Sequence, residues 1–212
     1  MNMNKPGWQA ALAPGLAALG VTLPADGAAR LMEFVELLQR WNQAYNLTAV
    51  RDPGEMLTKH ILDSLAVLPY VRRGPVVDVG AGAGLPGIPL AIALPDTRFV
   101  LLDSNGKKTR FMVQAKAALK LHNVEVVQAR VEGYRPPVAF ATVLSRAFAS
   151  LGEFVRLAGA GCAVGGRLLA MKGANPEQEL AEVPAGFRVL GVHPLRVPGL
   201  DAERCVVEIE KL

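Results

Sequence analysis

The sequence predicts an α/β fold: a Rossmann-like, doubly wound sheet of seven strands with a helical N-terminal extension. Three observations predict it. From residue 75 onward, short β-branched runs alternate with helical stretches, the rhythm of parallel strands joined by crossover helices. A glycine-rich loop, "GAGAGLPG" at 80–87, follows the first of those runs. Near the end, "FRVLGVHPLRV" and "RCVVEIEKL" face each other across "PGLDAE" with no helix between them, the pattern of an antiparallel hairpin at a sheet edge.

The elements follow in order. Residues 1–74 read as a helical segment and 75–212 as the sheet domain, with "RRGP" as the linker between them. The opening "ALAPGLAALGV" is apolar, but Pro14 and Gly15 interrupt it and Lys5 is a thin positive flank. It reads as a short amphipathic helix rather than a secretion signal. In "GAARLMEFVELLQRWNQAY", Leu31, Phe34, Val35, Leu38 and Trp41 share one helical face. A second helix is expected over 55–68, stopped by Pro69. Parallel strands are expected at 76–79, 98–102, 124–128, 141–145 and 167–171. Helices are expected near 87–94, 106–121 and 150–160, and a looser connection near 129–139.

Composition bounds the class. A chain of 212 residues, half of them hydrophobic, suits one domain with a small appendage and buries a sizeable core. Cys162 and Cys205 have no metal-ligand spacing around them, so they read as core thiols in a reducing cytosol, with no metal implied. The longest core run, "LPGIPLAIALP", falls well short of the ~20 residues that span a bilayer. The expectation is a soluble, cytoplasmic protein with no membrane partner. Net charge is +4, and residues 75–150, with nine basic and five acidic side chains, carry the whole excess. That points either to a polyanion approaching the glycine loop or to a solvated helix face around "KKTR".

The loop fits two registers. Gly82, Gly84 and Gly87 spell the dinucleotide pattern G-x-G-x-x-G, while Asp78, Gly80, Gly82 and Gly84 spell D-x-G-x-G-x-G, a pattern resembling methyltransferases that use S-adenosylmethionine. A pyrophosphate wants free N–H groups at the helix N-terminus, and Pro86 and Pro89 remove two of them. Asp78 would present a carboxylate close to phosphates but would suit a sulfonium amino acid. The 138 residues from Pro75 onward also leave little room for a separate catalytic domain. No Gly-Lys-Ser or Gly-Lys-Thr closes the loop, which excludes a P-loop. Asp103, 23 residues after Gly80, is placed to accept hydrogen bonds from both ribose hydroxyls. The alternative for Asp103 is a helix cap, a role Ser104 would fill equally well. "ARVE" at 129–132 lies where such folds contact adenine, though Glu132 also suits a solvated surface.

Absences narrow the reaction. No Asn/Asp-Pro-Pro-Tyr follows the fourth strand, and no cysteine sits at a parallel-strand end for attack on a pyrimidine ring. Arg146, in "SRAF", is a cation at the mouth of the site, suited to a carboxylate or a phosphate. A nucleophile with an available lone pair, such as a purine ring nitrogen, needs only alignment and charge placement.

Taken together, the segments resemble one family: the bacterial 16S rRNA guanine-N(7) methyltransferases, also called methyltransferase G or glucose-inhibited division protein B. The resemblance rests on "WNQAYNLTAVRDPGEMLTKHILDSL" (41–65), "DVGAGAGLPGIPL", "LLDSNGKKTRF", "ARVE", "LSRAFASL", "MKG" and "VPGLDAERCVV". It covers nearly all of the chain after the first 30 residues. Ala81 and Ala83 depart from the threonine and proline expected in other members. The resemblance implies methyl transfer from S-adenosylmethionine to ring nitrogen seven of one guanine of 16S rRNA, within the small ribosomal subunit or an assembly intermediate. No covalent intermediate is implied. Gly80, Leu85, Val131, Glu132 and Arg146 are implied as cofactor contacts, and Asp103 and Gly82 join them on the argument above.

His60, Asp63 and Ser64 of "HILDS", with Asn46 and Thr48 of "YNLT", would bring the helical segment over the cofactor mouth, making His60 and Asp63 catalytic alongside Arg146. Capping and domain docking are the alternative for them. For Trp41 and Tyr45, helical spacing favours an inward, structural role. Lys172, Arg130 and Lys107 are placed to meet RNA phosphates or to serve as solvated surface charges. Two rival classes are an NAD-dependent oxidoreductase and a non-catalytic RNA-binding module that kept the fold.

Overall fold

The computed structural model describes residues 5–173 and 176–212, with side chains from residue 11 onward. Seven strands form one sheet: β1 (Val76–Val79), β2 (Phe99–Asp103), β3 (Val124–Gln128), β4 (Phe140–Ser145), β5 (Cys162–Lys172), β6 (Phe187–Pro194) and β7 (Cys205–Lys211). Their order is β3-β2-β1-β4-β5-β7-β6. The first five pair in parallel, and β7 lies antiparallel between β5 and β6. The expected hairpin thus closes one edge, with its second strand on the inside. β1 and β2 are buried at every residue, as central parallel strands covered on both faces must be. The edge strand β6 instead alternates partly buried and exposed residues over its first half.

Strand order reverses between β1 and β4. In open α/β sheets the crevice beyond the carboxyl ends of those two strands is where ligands bind. Here the glycine loop leaves β1 and Arg146 follows β4, so both flank that crevice.

Helices α1 (Lys5–Leu19), α2 (Gly27–Tyr45), α3 (Pro53–Met56) and α4 (Asp63–Leu65) precede the sheet. Their apolar faces share one core with α5 (Gly87–Ala93) and α6 (Gly106–Ala118): Phe34, Leu38, Ile61, Ile88 and Phe111 are fully buried in it. The ring of Phe111 sits 6.1 Å from Phe34 and 5.7 Å from Trp41, joining α2 to α6. Helix α7 (Leu151–Ala158) packs on the opposite face through Phe154 and Val155.

The expected N-terminal helix is present, and α1 runs through the exposed Pro14. Two local expectations are corrected. The helix expected over 55–68 starts earlier and is not uniform. Asp52 caps it by accepting a hydrogen bond from the Glu55 amide, with Pro53 at its first position. Between α3 and α4 the chain makes a π-helical turn, Leu57–Leu62, and Pro69 sits in a separate 3-10 turn. Helix α6 ends at Ala118, three residues short of the expected stop, where Lys120 takes a left-handed conformation.

Candidate active site

The glycine loop spends its donors on itself and on β2. The Gly80 and Ala81 amides donate to the Leu102 carbonyl at 2.8 and 3.1 Å. Gly84 and Leu85 donate to Ala81, and Gly82 donates to the Asp103 carboxylate at 2.8 Å. A pyrophosphate would need such amides free, so the loop is a shaped wall rather than an anion cradle. Gly80, at φ +70°, forms the part of that wall nearest β4, where a side-chain carbon would stand 2.8 Å from Ala147.

Asp78 does not line the crevice. Its side chain is fully buried beneath the loop, and its Oδ2 accepts the Gly87 amide at 2.8 Å. Gly87 permits this approach: a Cβ there would meet Leu101 at 2.2 Å and the Asp78 carboxylate at 2.8 Å. Burial pushes the Asp78 pKa up to about 7, and its Oδ1 has no partner among the described residues. The carboxylate expected to welcome a sulfonium amino acid is therefore a support of the loop.

Asp103, in contrast, lines the crevice. It ends β2, is 8% exposed, and accepts the Gly82 amide on one oxygen and the Asn105 amide on the other, both at 2.8 Å. Neither Asp103 nor Ser104 caps α6; Asn105 does, accepting from the Lys107 and Lys108 amides. Asp103 lines a cavity of about 310 Å³ together with Gly80, Val131 and Glu132. Lys108 and Phe148 also line it, and neither was foreseen. The 3-10 turn Val131–Gly133 after β3 brings Val131 and Glu132 there.

A second cavity, of about 370 Å³, opens beside it and is lined by His60, Asp63, Arg146, Lys172 and Arg204. Asp63 is 2% exposed and is held by two guanidiniums, Arg146 at 2.9 Å and Arg204 at 3.0 Å, one on each carboxylate oxygen. His60 Nε2 lies 2.9 Å from the Thr48 hydroxyl. Thr48 is fixed in turn by Asn42, whose side chain accepts the Thr48 amide and donates to the Val50 carbonyl. Burial and the nearby Arg146 lower the His60 pKa to about 4, so the imidazole is neutral at ordinary pH. The π-helical turn supplies His60, and such turns recur at functional sites.

Residues 28–207 match a known family, described as rRNA small subunit methyltransferase G. The chain belongs to this family. It is 49% identical over 207 residues to ribosomal RNA small subunit methyltransferase G of Nitrosospira multiformis, covering 94% of this chain and 96% of the relative. The namesake of Alkalilimnicola ehrlichii is 53% identical over 194 residues, covering 92% and 88%. Among solved structures, TrmN from Thermus thermophilus matches with a TM-score of 0.59 at 18% identity, covering 74% of this chain and 53% of that one. TYW2 of M. jannaschii in complex with AdoMet matches with a TM-score of 0.55 at 16% identity, covering 72% and 76%. These two likenesses establish the methyltransferase fold.

Not all the implied residues gather. Leu85 is buried in the core and does not line the smaller cavity, and Arg146 lines only the larger one. Of the three cations expected at RNA, Arg130 is on the rim of the smaller cavity and Lys107 is exposed on α6, outside both. Lys172 lines the larger cavity, but its ammonium donates to the Phe148 and Ala149 carbonyls and pairs with Glu179 at 2.8 Å. Asn46 is the left-handed C-cap of α2, and Ser64 bonds the His60 carbonyl. Trp41 packs inward, whereas Tyr45 stacks on it and stays 43% exposed. Asn42 and Arg204 were missed. Both stand inside quoted segments, and a buried asparagine on an otherwise apolar helix face was the available signal for the first.

Proposed function

We propose that this chain transfers the methyl group of S-adenosylmethionine to ring nitrogen seven of a guanine in 16S rRNA, in the cytoplasm, on the small ribosomal subunit or an assembly intermediate. Family membership supplies the class, a methyltransferase of small-subunit rRNA. The observation that carries the finer reading is the pair of cavities meeting at the turn after β4: Ala147 and Phe148 line one, and Arg146 lines the other. In this reading residues 75–212 hold the cofactor, and residues 1–74 close over it through His60 and Asp63.

The smaller cavity fits the cofactor. Asp103 keeps lone pairs for ribose hydroxyls while two backbone amides hold it in place. Gly80 leaves the wall clear where a side chain would intrude. Val131 and Glu132 flank the end of the cavity beyond β3, suited to adenine. When bound, S-adenosylmethionine supplies an electrophilic methyl group on a positively charged sulfur. The purine N7 lone pair needs no deprotonation, so the reading asks for no general base: Asp63 is paired with two guanidiniums, and burial leaves His60 only weakly basic, with a pKa of about 4. Catalysis then rests on holding the two reactants in line.

The test is transfer of labelled methyl groups to small subunits, and to naked rRNA, from cells lacking this protein, followed by digestion to nucleosides. Label in 7-methylguanosine is expected, and the stronger lane names the assembly state. Label in another nucleoside, or none, overturns the reading. A rise in melting temperature with S-adenosylhomocysteine but not with NADH separates it from an oxidoreductase.

A further inference from the structure

The larger cavity has a charge pattern that methyl transfer alone does not require. Six ionisable groups face it: Lys59, His60, Asp63, Arg146, Lys172 and Arg204. Lys59 is balanced by Glu55 at 2.9 Å and Lys172 by Glu179 at 2.8 Å. That leaves two guanidiniums against the single carboxylate of Asp63. Burial divides the trio by depth: the Asp63 side chain is 2% exposed, whereas Arg146 and Arg204 are each 28% exposed. The carboxylate is the buried member of the trio and the two cations are the part-exposed ones, Arg204 also donating through Nη1 to the Glu203 carbonyl at 2.8 Å.

Three separate parts of the chain build this arrangement. Asp63 comes from the start of α4, Arg146 from the turn after β4, and Arg204 from the residue before β7. A stability role explains it poorly, since one arginine suffices to pair a buried carboxylate and a second half-open one adds uncompensated charge. Two part-exposed guanidiniums lining one cavity are instead a good match for the oxygens of a phosphate. His60 adds an independent sign of a ligand: it is 5% exposed, lines the same cavity, and its Nδ1 has no partner among the described residues.

We infer that Arg146 and Arg204 form a two-arginine clamp for one backbone phosphate of the RNA strand, with the buried Asp63 as the positioning residue that fixes their orientation. The inference rests on the RNA methyltransferase reading and deepens it. Arg204 is absent from the lining of the smaller cavity, so its effect belongs to RNA and not to cofactor. His60 then meets a polar edge of the nucleotide that the clamp delivers.

Arg204→Gln and Arg204→Lys test the clamp in the full-length enzyme. Methylation of small subunits is followed at several salt concentrations, and S-adenosylhomocysteine affinity is measured by calorimetry. For Arg204→Gln we expect KM for the subunit to rise about tenfold or more, the scale of one lost charged hydrogen-bond partner. The slope of log kcat/KM against log salt should become shallower by about one, the signature of one lost phosphate contact. Affinity for S-adenosylhomocysteine should stay unchanged. Arg204→Lys, which keeps the charge and loses the fork, should retain the wild-type slope with a smaller rise in KM.

An unchanged KM or slope in Arg204→Gln overturns the clamp. A fall in S-adenosylhomocysteine affinity matching the fall in kcat/KM overturns it too, and places the cofactor carboxylate there instead. If Arg204→Gln does not fold, a wild-type KM in Arg204→Lys overturns the clamp. Failure of the wild type to methylate any RNA would overturn the underlying reading, a result distinct from all of these.

Discussion

Replacing Asp78 by asparagine should make the protein more stable at pH 8 and not at pH 5. Asp78 is fully buried, holds one hydrogen bond from Gly87, and has a second oxygen without a partner among the described residues. Burial raises its pKa from 3.8 to about 7. The folded state therefore holds this proton where the unfolded chain has released it, and stability falls as pH rises through the window from about 4 to 7. Three pH units correspond to about 4 kcal/mol in total, of which about 2.5 kcal/mol falls between pH 5 and 8. Asparagine keeps an acceptor for the Gly87 amide and abolishes the titration, at the cost of an unpartnered amide worth about 1–3 kcal/mol. Urea unfolding of both proteins at pH 5, 6, 7 and 8 reads the difference directly. The variant should gain on the wild type by about 2–3 kcal/mol from pH 5 to 8. A stability difference that stays constant across that range would refute the argument, because a group that does not titrate between folded and unfolded states cannot produce it.

His60 titrates in the opposite sense. Its pKa is lowered from 6.5 to about 4, so the unfolded chain binds the extra proton and stability rises by about 3 kcal/mol over that interval. His60→Gln should therefore steepen the fall in stability with rising pH below 6.5, as Asp78→Asn should expose the rise; equal pH profiles for wild type and variant would contradict it. Asp103→Ala should weaken S-adenosylhomocysteine binding by about 1.5–3 kcal/mol, the scale for a charged hydrogen-bond partner, and unchanged calorimetric affinity in a folded variant would remove Asp103 from the ribose. Lys172→Met should lower stability by about 1–3 kcal/mol, because its three acceptors lose their donor. A normal denaturation midpoint with a raised KM for RNA would instead return Lys172 to the phosphate role.

The strands were legible because parallel strands buried on both faces leave short, mostly apolar runs, such as "VVDV" and "FVLL". The crossover helices followed from that, as did the position of Asp103 at the end of β2. What was not legible depends on contacts across long separations. Asp78 and Asp103 are both acids near strand ends beside the same loop; strand alternation turns Asp78 to the Val76 face, and Gly87 leaves room for it under the loop. Arg204 meets Asp63 across 141 positions, and no local pattern around Arg204 announces that partner. Lys172 ends a strand as expected, yet carbonyls of the turn after β4 and Glu179 capture its ammonium. The π-helical turn at 57–62 buries Leu57, Ile61 and Leu62, and the spacing of those residues reads as ordinary helix.

The turn after β4 is where stability and function meet. Ser145 donates to the Val79 carbonyl at 2.7 Å and accepts the Ala147 amide at 3.1 Å, binding the turn to β1. Lys172 grips the Phe148 and Ala149 carbonyls from β5, and Glu179 holds both Lys172 and the Leu151 amide that begins α7. Between these two anchorages, Arg146 goes to one cavity and Ala147 and Phe148 to the other. In the proposed arrangement a methyl group passing from cofactor to base would cross this boundary, and the reaction would depend on the alignment across it. Ser145, Lys172 and Glu179 brace the turn from both sides, and so hold the spacing between the two cavities. Weakening the anchorage should lower turnover at saturating RNA more than it weakens binding of either partner alone.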